Sequence, residues 1–357
     1  MQRETIVHSE FAQNFNAYAE GERISPMFFS GDAATVLREI PKESIDFCMT
    51  SPPYWGKREY ENGGIGLESD FNEYLARLAE VFREVKRILK PTGSFWLNMG
   101  DAYYKKALLG LPWRLAILLT DEQKWILRNS VIWNKVKGSP DNTRDRLRNI
   151  HENVFHFVKT PRGYYYDADA IRTTPKEARV VNGSIVSATG VSGVRYRRQI
   201  ELSSDLSVSE KEAALSGLQS MLERIECGEV ADFRMIIRGR QRTTHSPSGR
   251  VSGRARELQE KGFYFLQYHP KGAKPSDVWE IIPEDSQGRR LHFAAYPEDI
   301  CRIPLLASCP ADGIALDPFC GTGTTMRVSS ILGRKSIGID ISNDYLIEAH
   351  DRCVSLL

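Results

Sequence analysis

The 357-residue sequence is first defined by what it lacks. No two of its six cysteines (Cys48, Cys227, Cys301, Cys309, Cys320, Cys353) stand at the Cys-x-x-Cys spacing of a zinc site or redox motif. Scattered thiols of this kind read as reduced cysteines in a cytosolic protein, not as a disulfide frame. Apolar runs long enough to span a bilayer are missing too: a run such as Leu111 to Leu119 is short and broken by Arg114. Nothing resembles a leader, because Met1 to Arg23 is polar and carries Glu4, Glu10, Glu20 and Glu22 beside Arg3 and Arg23. Membrane proteins and secreted disulfide scaffolds are therefore not expected, and a cytoplasmic location is.

An overall charge imbalance is also lacking. The formal net charge is +2, which by itself calls for no polyanion. Locally the picture changes: from Arg234 to Arg256 there is no acid at all, against seven arginines (234, 238, 240, 242, 250, 254, 256) and His245. A second cluster, Arg195, Arg197 and Arg198, lies upstream. Basic stripes on a near-neutral chain suit a protein that meets a polyanion with one face, although a solvated arginine-rich surface has the same composition.

What is present is alternation. Short apolar runs at Met27–Ser30, Ile45–Met49, Ser94–Asn98, Val131–Trp133, Val154–Val158, Gly313–Asp317 and Ser336–Asp340 predict strands. Helices are expected between them, most clearly over Phe71–Leu89, where apolar residues at 71, 74, 75, 78, 81, 82, 85, 88 and 89 keep a 3.6-residue period. Others are expected near Trp113–Leu119 and Glu298–Ala307. This spacing predicts an α/β fold, doubly wound on a mostly parallel sheet. From about Pro175 to Lys261 the alternation stops, and Ser, Gly and Arg dominate. One helix, Ser209–Glu226, is expected there, within an inserted module.

Two turns carry chemistry. Asp317-Pro318-Phe319-Cys320-Gly321-Thr322-Gly323-Thr324-Thr325 lies between a strand and a helix, where open α/β sheets bind ligands. Gly321 and Gly323 let the backbone pass close to a ligand, and the helix start can meet an anionic group. A nicotinamide fingerprint would need a third glycine where Met326 stands, and a phosphate-binding P-loop would need Gly-Lys-Ser/Thr. Asp340 ends the next strand, 23 residues after Asp317, placed to accept hydrogen bonds from ribose hydroxyls.

The second turn is Thr50-Ser51-Pro52-Pro53-Tyr54-Trp55, directly after a strand. Alone it could be a stiff turn. Its residue types also fit methylation of an exocyclic amine, whose lone pair is delocalised into the base ring. Two fixed acceptors, Ser51 Oγ and the Pro52 carbonyl, would hold the amine hydrogens out of plane and free that lone pair. Tyr54 offers a face on which an extruded base stacks. Carbon-5 chemistry would need a cysteine, and none lies between Thr50 and Trp55.

With the target motif ahead of the cofactor motif, the chain resembles the β-ordered amino-group DNA methyltransferases. The resemblance implies a Rossmann-like methyltransferase sheet with circularly permuted motifs: a catalytic half (1–175), a target-recognition region (176–262) and a cofactor half (263–357). It implies S-adenosylmethionine as cofactor, held by Asp317, Phe319, Cys320, Gly321, Thr322, Gly323, Thr324, Asp340 and Asp32. Ser51, Pro52, Pro53 and Tyr54 match the catalytic tetrapeptide in its serine form, which in such enzymes mostly accompanies N4-cytosine methylation. N6-adenine is the alternative, and an RNA or protein-glutamine methyltransferase a more distant one. The stretch from His292 through Pro297 resembles the segment closing over the methionine end, while Trp279 suits core or cofactor contact equally. Double-stranded DNA is the implied partner, met by Arg195, Arg197, Arg198, Arg234, Arg238, Arg240, Arg242 and Arg250 through phosphates or guanine edges. A cognate restriction endonuclease acting on the same site is a second implied partner. Thr243 to Ser246 suit a loop.

Overall fold

The computed structural model describes residues 13–56, 64–138, 142–174, 177–181, 184–187, 190–240, 248, 250, 252–283 and 296–354. The chain forms two compact units: Met1–Ala170 with Ser276–Leu357, and Ile171–Pro275.

The first unit begins with β1 (Met27–Ser30), α1 (Ala33–Glu39), β2 (Ile45–Thr50), α2 (Phe71–Ile88) and β3 (Leu89–Met99). A small hairpin, β4 (Tyr103–Tyr104) and β5 (Ala107–Leu108), precedes α3 (Leu111–Asp121), β6 (Ile126–Asn134) and β7 (His151–Val158). Asp70 starts α2 by accepting from the Asn72 N–H (2.6 Å), and the periodic face from Tyr74 to Ile88 is buried. Each large apolar side chain so covered stabilises the fold by roughly 1.5–3 kcal/mol.

The second unit holds β8 (Arg179–Val181), β9 (Ser184–Val186), α4 (Gly193–Glu201), α5 (Val208–Glu226), β10 (Asp232–Ile237), α6 (Gly253–Lys261) and β11 (Phe263–Tyr268). It is more ordered than its composition suggests. β10 and β11 pair antiparallel from Asp232↔Tyr268 to Ile237↔Phe263, and their inner faces pack with Tyr196, Ile200, Ala214, Leu218 and Met221 in a core of their own. Phe263–Tyr268, placed with the cofactor half on sequence grounds, therefore belongs here, because its hydrogen-bonding partner is β10.

The first unit resumes with β12 (Val278–Glu280), α7 (Glu298–Ser308), β13 (Ile314–Asp317), α8 (Thr324–Ile331), β14 (Lys335–Asp340) and α9 (Asn343–Val354). Its eight-stranded sheet has the order β1-β14-β13-β2-β3-β7-β6-β12. β1, β14, β13, β2 and β3 are mutually parallel, β12 is parallel to β6, and β7 runs antiparallel between β3 and β6. The expected doubly wound, mostly parallel sheet is the one found. The carboxyl ends of β1, β14, β13, β2 and β3 share one edge, and reversal of β7 brings its amino end there as well. Among the described residues no helix is long and apolar enough to cross a membrane.

Candidate active site

β2 ends at Thr50 and the chain turns through Ser51 to Tyr54. The two prolines limit the turn's freedom, and it is braced from behind: Tyr74 OH donates to the Pro53 carbonyl (2.9 Å) and Trp55 Nε1 to the Glu68 carbonyl (2.8 Å). Gly66 passes close beneath, where an added Cβ would meet the Tyr54 carbonyl oxygen at 3.2 Å.

The front of the turn meets a buried polar network. Glu152, at the amino end of β7, accepts from Tyr54 OH (2.7 Å), Asn98 Nδ2 (2.8 Å) and Lys135 Nζ. Asn98 Nδ2 also lies 3.2 Å from Ser51 Oγ, and Tyr54 OH lies 3.3 Å from the same oxygen. Burial, reinforced by the Glu152 carboxylate, holds the Tyr54 hydroxyl well above its ordinary pKa, so it keeps its proton and donates. That proton points at Glu152. In the contact between Tyr54 and Ser51 the serine is therefore the donor, and a lone pair of Ser51 Oγ is left for another hydrogen.

The cofactor turn follows β13. Gly321 and Gly323 both adopt positive φ (+49° and +75°), and Gly323 is also where α8 packs on α9: a Cβ there would stand 2.8 Å from the Ala349 Cβ. Asp340 accepts from the N–H of Gly321 (2.8 Å) and of Ser342 (2.9 Å), so it ties the two cofactor-side turns together; burial pushes its carboxyl up. Asp32 caps α1, accepting from the Thr35 N–H at 3.1 Å.

Asp317 sits elsewhere than its motif suggests. It is 1% exposed and is not among the residues that line the cavity beside the two turns. One oxygen accepts from Thr50 Oγ1 (2.5 Å) and the Phe319 N–H (3.1 Å), the other from Tyr296 OH (2.9 Å) and Thr325 Oγ1 (2.9 Å). Burial outweighs these four donors and pushes its pKa from 3.8 up to about 6. Asp317 is thus an internal brace, joining the cofactor turn to the residue just ahead of Ser51.

One cavity of about 610 Å³ gathers most of the expected residues, taken in the order of the sheet: Asp32 after β1, Asp340 at the end of β14, Phe319 to Thr322 with Thr324 after β13, and Ser51 to Tyr54 after β2. Asp317 and Gly323 are not among its lining residues. Cys320 reaches the cavity but is a buried thiol whose pKa burial raises well above 9, which suits no nucleophile. Tyr296 lines it as well, and so do Lys135, Glu152, Arg146, Asn149 and His151, which no motif in the sequence marks. The one hint was polarity near strand ends: Asn98 is the last but one residue of β3, and Glu152 the second of β7. Tyr296 and Pro297 fall in the segment expected near the methionine end; its earlier part, from His292, lies outside the described residues. Trp279 resolves to core, stacked 6.3 Å from Trp96 at 27°.

In the second unit Arg195, Arg197 and Arg198 are exposed on α4, Arg234 on β10, and Arg250 beyond the hairpin strand. Arg195 and Arg198 share a concavity with Arg240, which donates to the Leu202 carbonyl. Arg238 differs: it pairs with Glu210 (2.7 Å) and donates to the carbonyls of Asp205 and Gln259, so its guanidinium is engaged inside the unit. Arg242 and the stretch Thr243 to Ser246 lie outside the described residues. Among the described residues no cluster of metal-ligating side chains occurs.

Residues 45–351 match the family model of N6/N4 DNA methylases. The type II methyltransferase M.SfiI of Streptomyces fimbriatus is 30% identical over 90% of this chain and 90% of its own. M.Cfr9I of Citrobacter freundii is 38% identical over 91% and 86%. The chain belongs to the N6/N4 DNA methylase family. It is a DNA methyltransferase of the amino-methylating type, with S-adenosylmethionine as methyl donor. Among solved structures, PvuII DNA methyltransferase (cytosine-N4-specific) superposes with a TM-score of 0.54 at 19% identity, covering 92% of this chain and 86% of that one, which establishes the shared fold.

The cavity fits that donor. Its volume lies within the range of ligand pockets, and the amino end of α8 faces it with positive partial charge suited to a carboxylate. Asp340 and Asp32 supply acceptors for hydroxyl or amine groups, and Phe319, Ile341 and Tyr345 supply apolar faces.

Proposed function

We propose that this methylase modifies N4 of cytosine at a specific site in duplex DNA, by base flipping and direct in-line transfer. The observation that carries the reading is the hydrogen-bond polarity at Ser51. Its own proton is directed onto Tyr54 and that of Tyr54 onto Glu152, so Ser51 Oγ faces the cavity as an acceptor. Ser51 Oγ and the Pro52 carbonyl hold the two amine hydrogens of the flipped base, and the Tyr54 ring supports its face. S-adenosylmethionine supplies an electrophilic methyl group; the residues of the cofactor turn orient it.

As the amine nitrogen gains a carbon it must lose a proton. Ser51 Oγ accepts that proton and passes its own to Tyr54 OH, which passes its own to Glu152, leaving the carboxylate neutral and every hydroxyl restored. Lys135 Nζ donates to the other oxygen of Glu152 and holds the carboxylate in place. The serine form of the tetrapeptide supports cytosine, since the same two acceptors serve adenine N6 and aspartate usually stands there in adenine enzymes. The second unit, Ile171–Pro275, reads the target sequence in this proposal, with its exposed arginines on the DNA. A restriction endonuclease sharing the site is the expected companion.

The test is nucleoside analysis of DNA methylated by the purified protein. N4-methylcytosine is expected. N6-methyladenine overturns the base assignment, and no methylated base in any duplex overturns the function.

A further inference from the structure

Lys135, Arg146 and Asn149, from the connection between β6 and β7, line the cavity. The connection is closed at its base by the Lys135 N–H donating to the Ile150 carbonyl (3.0 Å) and by the pair Asn134↔His151. Val136 has φ +59°, and the Lys137 N–H bonds back to the Lys135 carbonyl (2.5 Å). A β-branched residue in the left-handed region is strained, and such strain collects at functional loops. Further along, the Arg146 guanidinium lies 4.1 Å from the centre of the Tyr103 ring and donates to Thr143 Oγ1 (3.2 Å) and to the Leu147 carbonyl (3.3 Å).

This scaffold presents Leu147, whose exposure of 91% is the highest of any large apolar side chain among the described residues. Its surroundings set it apart from a stray surface leucine. Arg144, Arg146 and Arg148 stand exposed around it, and Arg146 and Asn149, on either side, line the cavity. The one acid beside them, Asp145, lies 3.8 Å from Lys106 Nζ, so the segment is net basic. An apolar tip among arginines, beside a pocket that takes a base, matches duplex DNA, where cations meet phosphates while an apolar side chain enters the stack.

We propose that Leu147 is the wedge that fills the step vacated by the flipped base, with Arg144, Arg146 and Arg148 on the flanking phosphates. The inference rests on the base-flipping reading above. Extruding a base costs a few kcal/mol of stacking and pairing, and an inserted leucine holds the opened step against re-closure. Its contribution should vanish where no pair has to be broken.

The experiment compares wild type with Leu147→Ala and Leu147→Met in single-turnover methylation of synthetic duplexes, their site mapped first from plasmid methylated by the wild type. One duplex is fully paired; in the other the target base faces an abasic position. Leu147→Ala is expected to lose about tenfold or more on the paired duplex and to stay within about twofold on the abasic one, with Leu147→Met close to wild type on both. Equal wild-type and Leu147→Ala rates on the paired duplex overturn the wedge. So does an equal loss on both duplexes, which would mark a general docking contact, or a lowered melting temperature, which would mark Leu147 as packed. Wild-type inactivity on every duplex removes the base-flipping reading, and the wedge with it.

Discussion

Asp317 and Glu152 are both buried acids at one edge of the large sheet, 1% and 7% exposed, and each gathers several donors. Around Asp317 the donors are three hydroxyls and a backbone N–H, all turned inward, so the group locks β2, β13 and α8 to one another. Around Glu152 they are an amide, a lysine and the hydroxyl of Tyr54, and two of these three residues reach the cavity. The acid in the recognisable motif braces two turns from within, whereas the acid outside any motif lines the cavity. A motif marks where a ligand binds without saying which of its residues touch it.

Several substitutions break or sharpen that contrast. Ser51→Ala should have the largest effect, lowering kcat by about 10²–10³ through loss of one aligned acceptor while cofactor affinity by calorimetry stays within about twofold; unchanged turnover would refute the acceptor role. Glu152→Gln keeps the shape but removes the proton's destination. It should cost about 10–100-fold in kcat with little change in melting temperature, and a loss seen only in KM would contradict the proton path. Asp317→Ala should do the reverse in kind, lowering unfolding stability by about 3 kcal/mol because buried donors lose their acceptor. A stable but inactive Asp317→Ala protein would erase the distinction between the two acids.

A pH series separates the acids further. The folded protein binds the Asp317 proton more tightly than the unfolded chain, since the pKa rises from 3.8 to about 6. Its stabilising contribution is therefore complete below about pH 4 and is lost as pH rises through about 6. Between pH 4 and pH 7 the stability difference between wild type and Asp317→Asn should move towards the variant, by roughly 3 kcal/mol or less. A flat difference would contradict the assignment. The smallest effect expected is on the second unit, where Arg238→Ala should cost about 1 kcal/mol of stability and leave duplex affinity intact, while Arg234→Ala should weaken duplex binding and flatten its salt dependence. Filter binding at two salt concentrations distinguishes the pair.

The sheet was legible in the sequence because apolar runs and a 3.6-residue period are local signals. Met27–Ser30 and the helix from Phe71 appear where the pattern puts them, and the two turns follow their strands. The β10–β11 hairpin was not legible: its strands lie far apart in sequence, across an arginine-rich stretch that masks their alternation. The Asn98–Glu152 contact was hidden for a similar reason. It exists only because β7 reverses direction beside β3, and no local pattern announces which strand will be a neighbour. Arg238 illustrates the limit from the other side, since composition counts a charge but cannot tell whether a glutamate already holds it.

The strand order has a further consequence in time. β1 pairs with β14, so residues 27–30 must wait for residues 335–340 before they gain a hydrogen-bonded neighbour in the sheet. At typical elongation rates of 5–20 residues per second, that wait is about 15–60 s on the ribosome. Asp32, just past β1, and Asp340, at the end of β14, line one cavity only once that pairing has formed. Residues 171–275, whose hairpin and core are complete within themselves, are all synthesised before that pairing can form.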